Sequence, residues 1–381
     1  MLLFTLSLLI TAAYAVSPLA GVNIAGFDFG VDITGTANLA SADPPLTALG
    51  GSDGAAQMSH FAKQDSLNLF RLPVSWQFLI NSQSLTGSAN NGTMTNGTMG
   101  NATHTNSAAG ALDATNSNNY DQLVQACLAT GAHCIIDVHN YARFNNEIIG
   151  QGGPSNEEFA NLWSQIAAKY KNETNIVFGI MNEPHNIPDM KIWAATVQAA
   201  VTAIRTAGAT TQMILLPGND FTGAQTFVSN GSAGNLSNVH NLDGSNTSLI
   251  FDVHKYLDAD GSGQALDCSS NHITDTFMPL AMFLVANKRQ AILSETGGGN
   301  SASCLTDLCN TLTFINANTD AYMGYVGWAA GGFSPTNYNL TMTPIGSAGN
   351  FTDQPIVKQC LVGTRMGGGI ASKKRMVRKT L

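Results

Sequence analysis

The stretch from Ile176 to His185 reads Ile-Val-Phe-Gly-Ile-Met-Asn-Glu-Pro-His. Such a near-continuous apolar run is typical of a strand buried on both faces, as in a parallel sheet. Asn182 and Glu183 end the run, and Pro184 cannot extend a ladder of backbone hydrogen bonds. A carboxyl at the mouth of a buried strand is rare unless it is paired or functional. Glu183 is therefore a candidate catalytic residue, and a salt-bridged glutamate that leaves the core for solvent is the alternative.

The same arrangement, an apolar strand with polar or aromatic residues at its end, recurs along the chain. These strand-end residues are Arg71, His139, Asn182, Glu183, His254, Tyr256, Glu295 and Trp328. Functional side chains at the same end of several strands are the arrangement by which a (β/α)8 TIM barrel builds its active face. Two of these residues, Glu183 and Glu295, are carboxylic acids. A pair of carboxyls at one barrel mouth suggests glycoside hydrolysis.

Length and composition agree with a large globular enzyme. The chain has 381 residues, enough for one barrel or two smaller domains, and only 11% of them are charged. This composition argues against a coiled coil or a disordered chain. The net charge of −8 disfavours nucleic acid as a partner, whereas a neutral polysaccharide requires no basic groove. We expect a monomer that binds a neutral polysaccharide, with no cofactor, no metal and no membrane partner.

The first 15 residues predict a secretory signal peptide. Leu2 to Tyr14 is apolar and uncharged, and Ala13-Tyr14-Ala15 matches a small-x-small cleavage pattern. A membrane helix needs a longer run, about 20 residues. N-glycosylation sequons also favour an extracellular protein. They occur at Asn91, Asn96, Asn101, Asn172, Asn230, Asn235, Asn246, Asn339 and Asn350.

The six cysteines are even in number and none has the CxxC spacing of a metal site. In a secreted protein such cysteines form disulfides rather than remaining free thiols. Spacing alone leaves many pairings open. Neighbour order favours Cys127–Cys134, Cys268–Cys304 and Cys309–Cys360.

Periodicity predicts alternating strands and helices. The strands are predicted at 21–29, 67–74, 133–140, 176–183, 213–219, 249–256, 290–295 and 322–328. The helices are predicted at 55–65, 120–130, 156–170, 190–207, 273–286 and 304–318, with a weak helix after Phe221. Alternation predicts a parallel sheet and eight strands predict its closure, so we assign residues 16–363 to one (β/α)8 catalytic domain.

Two segments fall outside this alternation. Residues 81–119 are poor in apolar side chains and rich in Asn, Gly, Thr and Ser, so we interpret them as a long loop or glycosylated flap after the second strand. Residues 364–381 contain six Lys or Arg and no acidic residue. Such a basic run matches the motif of a nuclear-localisation signal, but a solvated, frayed tail fits a secreted protein better.

Five short segments carry a resemblance to a known family. They are Arg-Leu-Pro at 71–73, His-Asn-Tyr at 139–141, Asn-Glu-Pro at 182–184, His-Lys-Tyr at 254–256 and Glu-Thr-Gly-Gly-Gly at 295–299. Together and in this order they resemble glycoside hydrolase family 5, in particular its fungal endo-β-1,4-glucanases, from about residue 21 to 362. The resemblance implies a retaining enzyme in which Glu183 is the general acid/base and Glu295 is the nucleophile, with their carboxyls about 5–5.5 Å apart.

The resemblance also implies roles for the other strand-end residues. Arg71 and Tyr256 would favour the charged form of Glu295, and Asn182 would hold the sugar 2-hydroxyl. His254 would lie beside Glu183, His139 beside the sugar, and Trp328 beneath it. Relatives with this pattern usually have Trp where this chain has Phe144 and Phe221, so we expect weaker stacking at outer subsites.

Three alternatives stay open. A metal-dependent barrel hydrolase could use His139, His254, Asp137 and Asp252, which strand alternation places on common faces, but the first strand has no His-x-His pair. A catalytically silent carbohydrate-binding cell-wall protein could retain the barrel. A β-mannanase or β-1,3-glucanase could use the same core residues, because loops choose the sugar.

Overall fold

The computed structural model describes residues 18–82, 108 and 110–366. Eight strands, all parallel to their neighbours, form a closed barrel in the order β1-β10-β9-β8-β7-β6-β3-β2. They are β1 Leu19–Ala25, β2 Leu69–Val74, β3 His133–Val138, β6 Ile176–Gly179, β7 Met213–Pro217, β8 Leu249–His254, β9 Ala291–Thr296 and β10 Tyr322–Gly331, and the two remaining strands, β4 Arg143–Phe144 and β5 Glu147–Ile148, form a small hairpin. The predicted (β/α)8 barrel is confirmed.

Helices lie between the barrel strands and surround the barrel. They are α1 Gly54–Gln64, α2 Trp76–Ile80, α3 Ala114–Leu128, α4 Asn156–Tyr170, α5 Met190–Thr206, the helical turn α6 Asn219–Thr222, α7 Ser232–Leu236, α8 Met278–Ala286, α9 Ala302–Ala317 and α10 Gly363–Met366. Side-chain caps explain several of their starts. The Ser155 hydroxyl accepts from the backbone N–H of Glu158, whose carboxylate accepts from the backbone N–H of Ser155 at the start of α4. None of the helices in the described ranges has the length and hydropathy needed to cross a bilayer.

One apolar side chain from each barrel strand fills the barrel interior near the strand N-termini. They are Leu19, Leu69, Ile135, Val177, Leu215, Ile250, Ile292 and Val326. Side chains two and four residues further along a strand point into the same interior, because alternate residues share a face. This plug therefore leaves the carboxyl ends of the strands for polar side chains.

Several predicted boundaries are wrong. Helix α3 begins at Ala114 rather than at residue 120, because the Asp113 carboxylate caps it by accepting from the N–H groups of Thr115 and Asn116. The first turns of α3 expose polar residues, so they carry no apolar periodicity, and the loop predicted at 81–119 ends before them. Residues 364–366, predicted to belong to the tail, lie in α10, and Arg365 donates to the Ser66 carbonyl.

Strand β6 also ends earlier than predicted. Its pairing stops at Gly179 instead of Glu183, although the Asn182 N–H still donates to the Val138 carbonyl at 2.8 Å. The weak helix predicted after Phe221 corresponds to the short α7.

The three predicted disulfides are all present, as Cys127–Cys134, Cys268–Cys304 and Cys309–Cys360. The first joins α3 to β3, and the second joins the loop after β8 to the first turn of α9. The predicted signal peptide and the sequons at 91, 96 and 101 lie outside the described residues.

Candidate active site

Glu295 lies near the end of β9, buried inside the barrel mouth. Strict alternation from Ile292 would point Ser294 inward and Glu295 outward. The register shifts here, because Val253 pairs with Leu293 but His254 pairs with Glu295. This β-bulge turns both Ser294 and Glu295 toward the interior. Glu295 Oε1 then accepts from Arg71 Nη1 at 2.6 Å, and Oε2 accepts from the Tyr256 hydroxyl at 2.7 Å.

Glu183 lies opposite, just beyond the last paired residue of β6. Its φ of 42° is in the left-handed region, which non-glycine residues adopt mainly where the surrounding structure imposes it. The turn directs its side chain toward β8, where Glu183 Oε1 is 2.8 Å from His254 Nδ1.

The two carboxyls share His254 and lie close together. One oxygen of Glu183 and one of Glu295 lie, with a ring nitrogen of His254, within 4.8 Å of one another. This upper limit on the distance between one oxygen of each acid is compatible with the about 5–5.5 Å between the carboxyls of retaining glycosidases and is shorter than the about 6.5–9.5 Å of inverting ones. A sugar bond between these groups would contact both acids at once.

Arg71 organises the floor of the site. Its guanidinium is fully buried, and Nη1 donates to Glu295 and to Asn23 Oδ1. Nη2 donates to Asn182 Oδ1 at 2.7 Å and forms an ion pair with Asp137 at 3.0 Å. Arg71 therefore both supports the Glu295 carboxylate and neutralises a buried aspartate.

Asn182 has a buried amide donor beside the Arg71 guanidinium. Because its Oδ1 accepts from Arg71, its Nδ2 is the group left for a ligand, and this buried nitrogen has no hydrogen-bond partner among the described residues. A buried unpaired donor is costly, so a bound hydroxyl would satisfy it. The role predicted for Asn182 stays a prediction.

Trp328 and His139 form one wall of the site. Their rings stack at 5.5 Å with an interplanar angle of 19°, and the indole N–H of Trp328 donates to the Tyr338 hydroxyl at 3.0 Å. His139 Nδ1 lies 2.8 Å from Asp137 Oδ2, which orients the imidazole. Trp328 is only partly buried, so it is open to a sugar rather than a plug of the barrel.

The two carboxyls have opposite pKa shifts. Burial and the neighbouring charge of Glu295 raise the pKa of Glu183, and these effects outweigh its contacts with His254. Burial alone would raise the pKa of Glu295 as well, but the charges of His254 and Arg71 lower it below its ordinary value. Glu183 therefore keeps its proton at a pH at which Glu295 is ionised.

A buried relay behind His254 was not predicted as part of the site. His254 Nε2 lies 2.9 Å from Ser294 Oγ, and the Ser294 hydroxyl donates to Asp252 Oδ1. A serine that gives its only proton to Asp252 must accept from Nε2–H. Nε2 of His254 therefore carries a proton whether or not the ring is charged. The bulge that turns Ser294 inward leaves no mark in the sequence.

Asn23 is a second contributor that sequence reasoning missed. Its Nδ2 donates to the carbonyls of Ser294 and Gly327 and its Oδ1 accepts from Arg71, so it joins three strands beneath the site. Its only sequence signal is one polar residue inside an apolar strand.

The residues of the metal-dependent alternative all have protein partners. Asp137 contacts Arg71 and His139, Asp252 accepts from Ser294, and His254 uses both ring nitrogens. The residues of this site that could hold an ion together are instead Glu183, His254 and Glu295. Glu295 also accepts hydrogen bonds from Arg71 and Tyr256, which suits acid–base chemistry.

Phe144 cannot stack on a sugar at an outer subsite, so that prediction is wrong. Phe221 is exposed, as stacking on a sugar requires. Phe144 is only 2% exposed and packs edge-on against Trp76, because the β4–β5 hairpin turns its ring into the core. Phe221 is 43% exposed and stacks on His185 at 4.5 Å. Only Phe221 can offer a ring face to a sugar.

Paired carboxyls on the carboxyl-end face of a parallel barrel define a glycoside hydrolase of the TIM-barrel class, and comparison with known proteins agrees. The model of the cellulase family (glycosyl hydrolase family 5) matches residues 30–331. The chain belongs to this family and is a glycoside hydrolase.

Individual relatives are similar over most of their length. Endoglucanase EG-II of Hypocrea jecorina is 52% identical over 346 residues, which cover 90% of this chain and 77% of that protein. Endoglucanase 1 of Saitozyma flava is 43% identical over 87% of this chain and 86% of its own. The crystal structure of Cel5A (EG2) from Hypocrea jecorina (Trichoderma reesei) is similar at a TM-score of 0.83, with 51% identity over 91% of this chain and 98% of that one.

Proposed function

We propose that this protein is a secreted endo-β-1,4-glucanase that cleaves internal bonds of cellulose or a related β-glucan by a retaining double displacement. The observation that carries the proposal is the pair of carboxyls at Glu183 and Glu295, with oxygens within 4.8 Å of one another and opposite pKa shifts. Membership of the cellulase family and the endoglucanase names of its relatives support the substrate class.

In the first step the Glu295 carboxylate attacks the anomeric carbon and forms an ester bond to it. The glycosidic carbon–oxygen bond breaks, and the proton of Glu183 moves to the leaving oxygen. Esterification removes the negative charge of Glu295, which is the second-largest cause of the raised pKa of Glu183. The pKa of Glu183 therefore falls, so that in the second step it takes a proton from water while the oxygen of that water replaces Glu295 on the anomeric carbon.

The surrounding residues stabilise the oxocarbenium-like transition state. Nδ2 of Asn182, which has no hydrogen-bond partner among the described residues, would donate to the 2-hydroxyl, a contact that strengthens as charge develops on the ring. Trp328 offers its indole as a stacking surface, and Tyr256 and Arg71 hold the nucleophile in its charged form.

Anomeric configuration is the direct test of the double displacement. Proton NMR during hydrolysis of a cellooligosaccharide should show the β-anomer of the new reducing end first, before mutarotation. Glu183→Gln and Glu295→Gln should each lower kcat by at least about 1,000-fold, because each removes a group that acts only in the transition state. First appearance of the α-anomer, or substantial turnover by either variant, would refute the assignment. A catalytically silent wild type would favour the carbohydrate-binding alternative.

Substrate class needs its own test, because the core residues do not choose the sugar. Carboxymethyl cellulose, lichenan, mannan and xylan should be compared by reducing-sugar release and by viscosity. Endo cleavage of β-1,4-glucan predicts a rapid fall in the viscosity of carboxymethyl cellulose with little sugar released. Higher kcat/KM on mannan would support a β-mannanase instead.

A further inference from the structure

Outside the active site, three side chains that can bind a metal meet between α1 and the C-terminal segment. His60 lies in α1, Asp65 follows its last residue, and Asp353 comes from the segment after β10. His60 Nε2 is 2.7 Å from Asp353 Oδ1 and 3.9 Å from Asp65 Oδ2. One donor atom from each residue lies within 4.8 Å of the other two. His60 and Asp353 are 293 residues apart, so the fold brings them together.

Asp65 has a buried carboxylate oxygen whose hydrogen-bonding capacity is unsatisfied. Its side chain is 8% exposed, yet Oδ2 is a buried oxygen with no hydrogen-bond partner among the described residues. No lysine or arginine of the described ranges forms an ion pair with either aspartate, and both aspartates pair with His60 instead. A buried carboxylate without a partner is costly.

Solvent reaches the edge of this cluster. His60 lines an open cavity of about 590 Å³ together with Lys63, Asn350 and Phe351. An ion could enter by this route, and water could complete its coordination shell.

We propose that His60, Asp65 and Asp353 form a binding site for a divalent transition-metal ion, and that this site stabilises the fold and takes no part in catalysis. One imidazole nitrogen and two carboxylate oxygens are ligands suited to Zn²⁺ or Mn²⁺ rather than to the all-oxygen sites of Ca²⁺. The bound ion would replace the His60–Asp353 hydrogen bond, give Asp65 Oδ2 its missing partner and join α1 to the C-terminal segment.

Zinc binding to the metal-free full-length protein tests the site, with Zn²⁺ as the probe in calorimetry and in thermal unfolding. We expect about one Zn²⁺ per chain and a rise in Tm of about 4 °C at free Zn²⁺ about 100-fold above Kd, reversed by EDTA. Asp65→Asn and Asp353→Asn should each abolish the zinc-dependent rise in Tm. Initial rates on carboxymethyl cellulose at 25 °C should be the same with and without EDTA.

Two further variants separate this site from other clusters. Asp275→Asn is the matched control, because His272 and Asp275 form a comparable pair at 2.9 Å on the surface, and it should keep the zinc response. Glu183→Gln removes the other possible ligand group, at the active site, and should also keep it. The proposal is overturned if the wild type binds no Zn²⁺, if Asp65→Asn and Asp353→Asn respond like the wild type, or if Glu183→Gln abolishes binding.

Discussion

His254 contacts both proposed catalytic acids, with its Nδ1 2.8 Å from Glu183 Oε1 and 3.5 Å from Glu295 Oε2. Its charge is the largest influence that lowers the pKa of Glu295, and Glu295, Glu183 and Asp252 in turn raise the pKa of His254 against the effect of burial. Activity should fall as pH rises through the pKa of Glu183, which loses the acid proton. It should also fall as pH drops through the pKa of Glu295, which loses its nucleophilic charge.

Asp252→Asn tests the relay behind His254. Removing the Asp252 charge removes one of the negative charges that raise the pKa of His254, so the pKa of His254 should fall in this variant. An NMR titration of the His254 imidazole measures this change.

Ser294→Ala is the companion variant, because it keeps the Asp252 charge and removes the hydroxyl between Asp252 and His254. It should lower kcat and lower the pKa of His254 by less than Asp252→Asn does. An unchanged pKa of His254 in Asp252→Asn would mean that Asp252 has only a structural role.

Phe221 and Phe144 form a second matched pair. Phe221→Trp should lower KM on long oligosaccharides about two- to fivefold, because the exposed ring gains stacking area. Phe144→Trp should leave KM unchanged and lower stability by about 1–3 kcal/mol, because Phe144 is enclosed by the core. Oligosaccharide kinetics and thermal unfolding of both variants check this, and an unchanged KM in Phe221→Trp would remove Phe221 from the substrate path.

At the scale of elements, the loop after β8 supports Tyr256. The Asp258 carboxylate accepts from the backbone N–H groups of Gly263, Gln264 and Ala265, which shapes the loop. The loop packs tightly on the site: a Cβ at Gly263 would lie 2.7 Å from the Tyr256 ring. A Cβ at Gly298 would lie 2.5 Å from Cys304 Sγ, so only glycine allows the Cys268–Cys304 disulfide to hold the loop here.

Removing disulfides should therefore have unequal effects. Cys268→Ala/Cys304→Ala opens a link across 36 residues and should cost about 4 kcal/mol of unfolding free energy and lower kcat about tenfold, because the loop that supports Tyr256 is released. Cys127→Ala/Cys134→Ala opens a link across only 7 residues, away from the site. It should cost about 2 kcal/mol and leave kcat unchanged. Denaturant unfolding and kinetics measure both, and equal kcat values would separate the loop from catalysis.

At the scale of the whole molecule, secretion and glycosylation stay predictions. The exposure and hydrogen bonds of the sequon asparagines rank how readily each could carry a glycan. The sequon residues Asn172, Asn246 and Asn350 are exposed. Asn230 is partly buried, and its Nδ2 donates to the Asn219 carbonyl and to Asp220 Oδ2. A glycan on Asn230 would compete with these hydrogen bonds.

Peptide mapping of the protein secreted by a eukaryotic host tests this ranking. We expect glycans at Asn172, Asn246 and Asn350 and an unmodified Asn230, and a mature N-terminus near residue 16. Asn246→Gln should remove one glycan without changing kcat. Full occupancy at Asn230 together with empty exposed sites would contradict the ranking.

By itself the sequence determined the barrel and the residues at its mouth. Eight apolar runs that alternate with amphipathic helices have few other ways to bury their faces, and a carboxyl at the end of a buried strand is visible as an exception to that burial. Only the tertiary structure decided how the acids are used. The bulge beside Glu295, the left-handed φ of Glu183 and the Asp252–Ser294–His254 relay depend on strand register and long-range contacts. A one-residue shift of register exchanges the two faces of a strand, and local sequence pattern does not encode that shift.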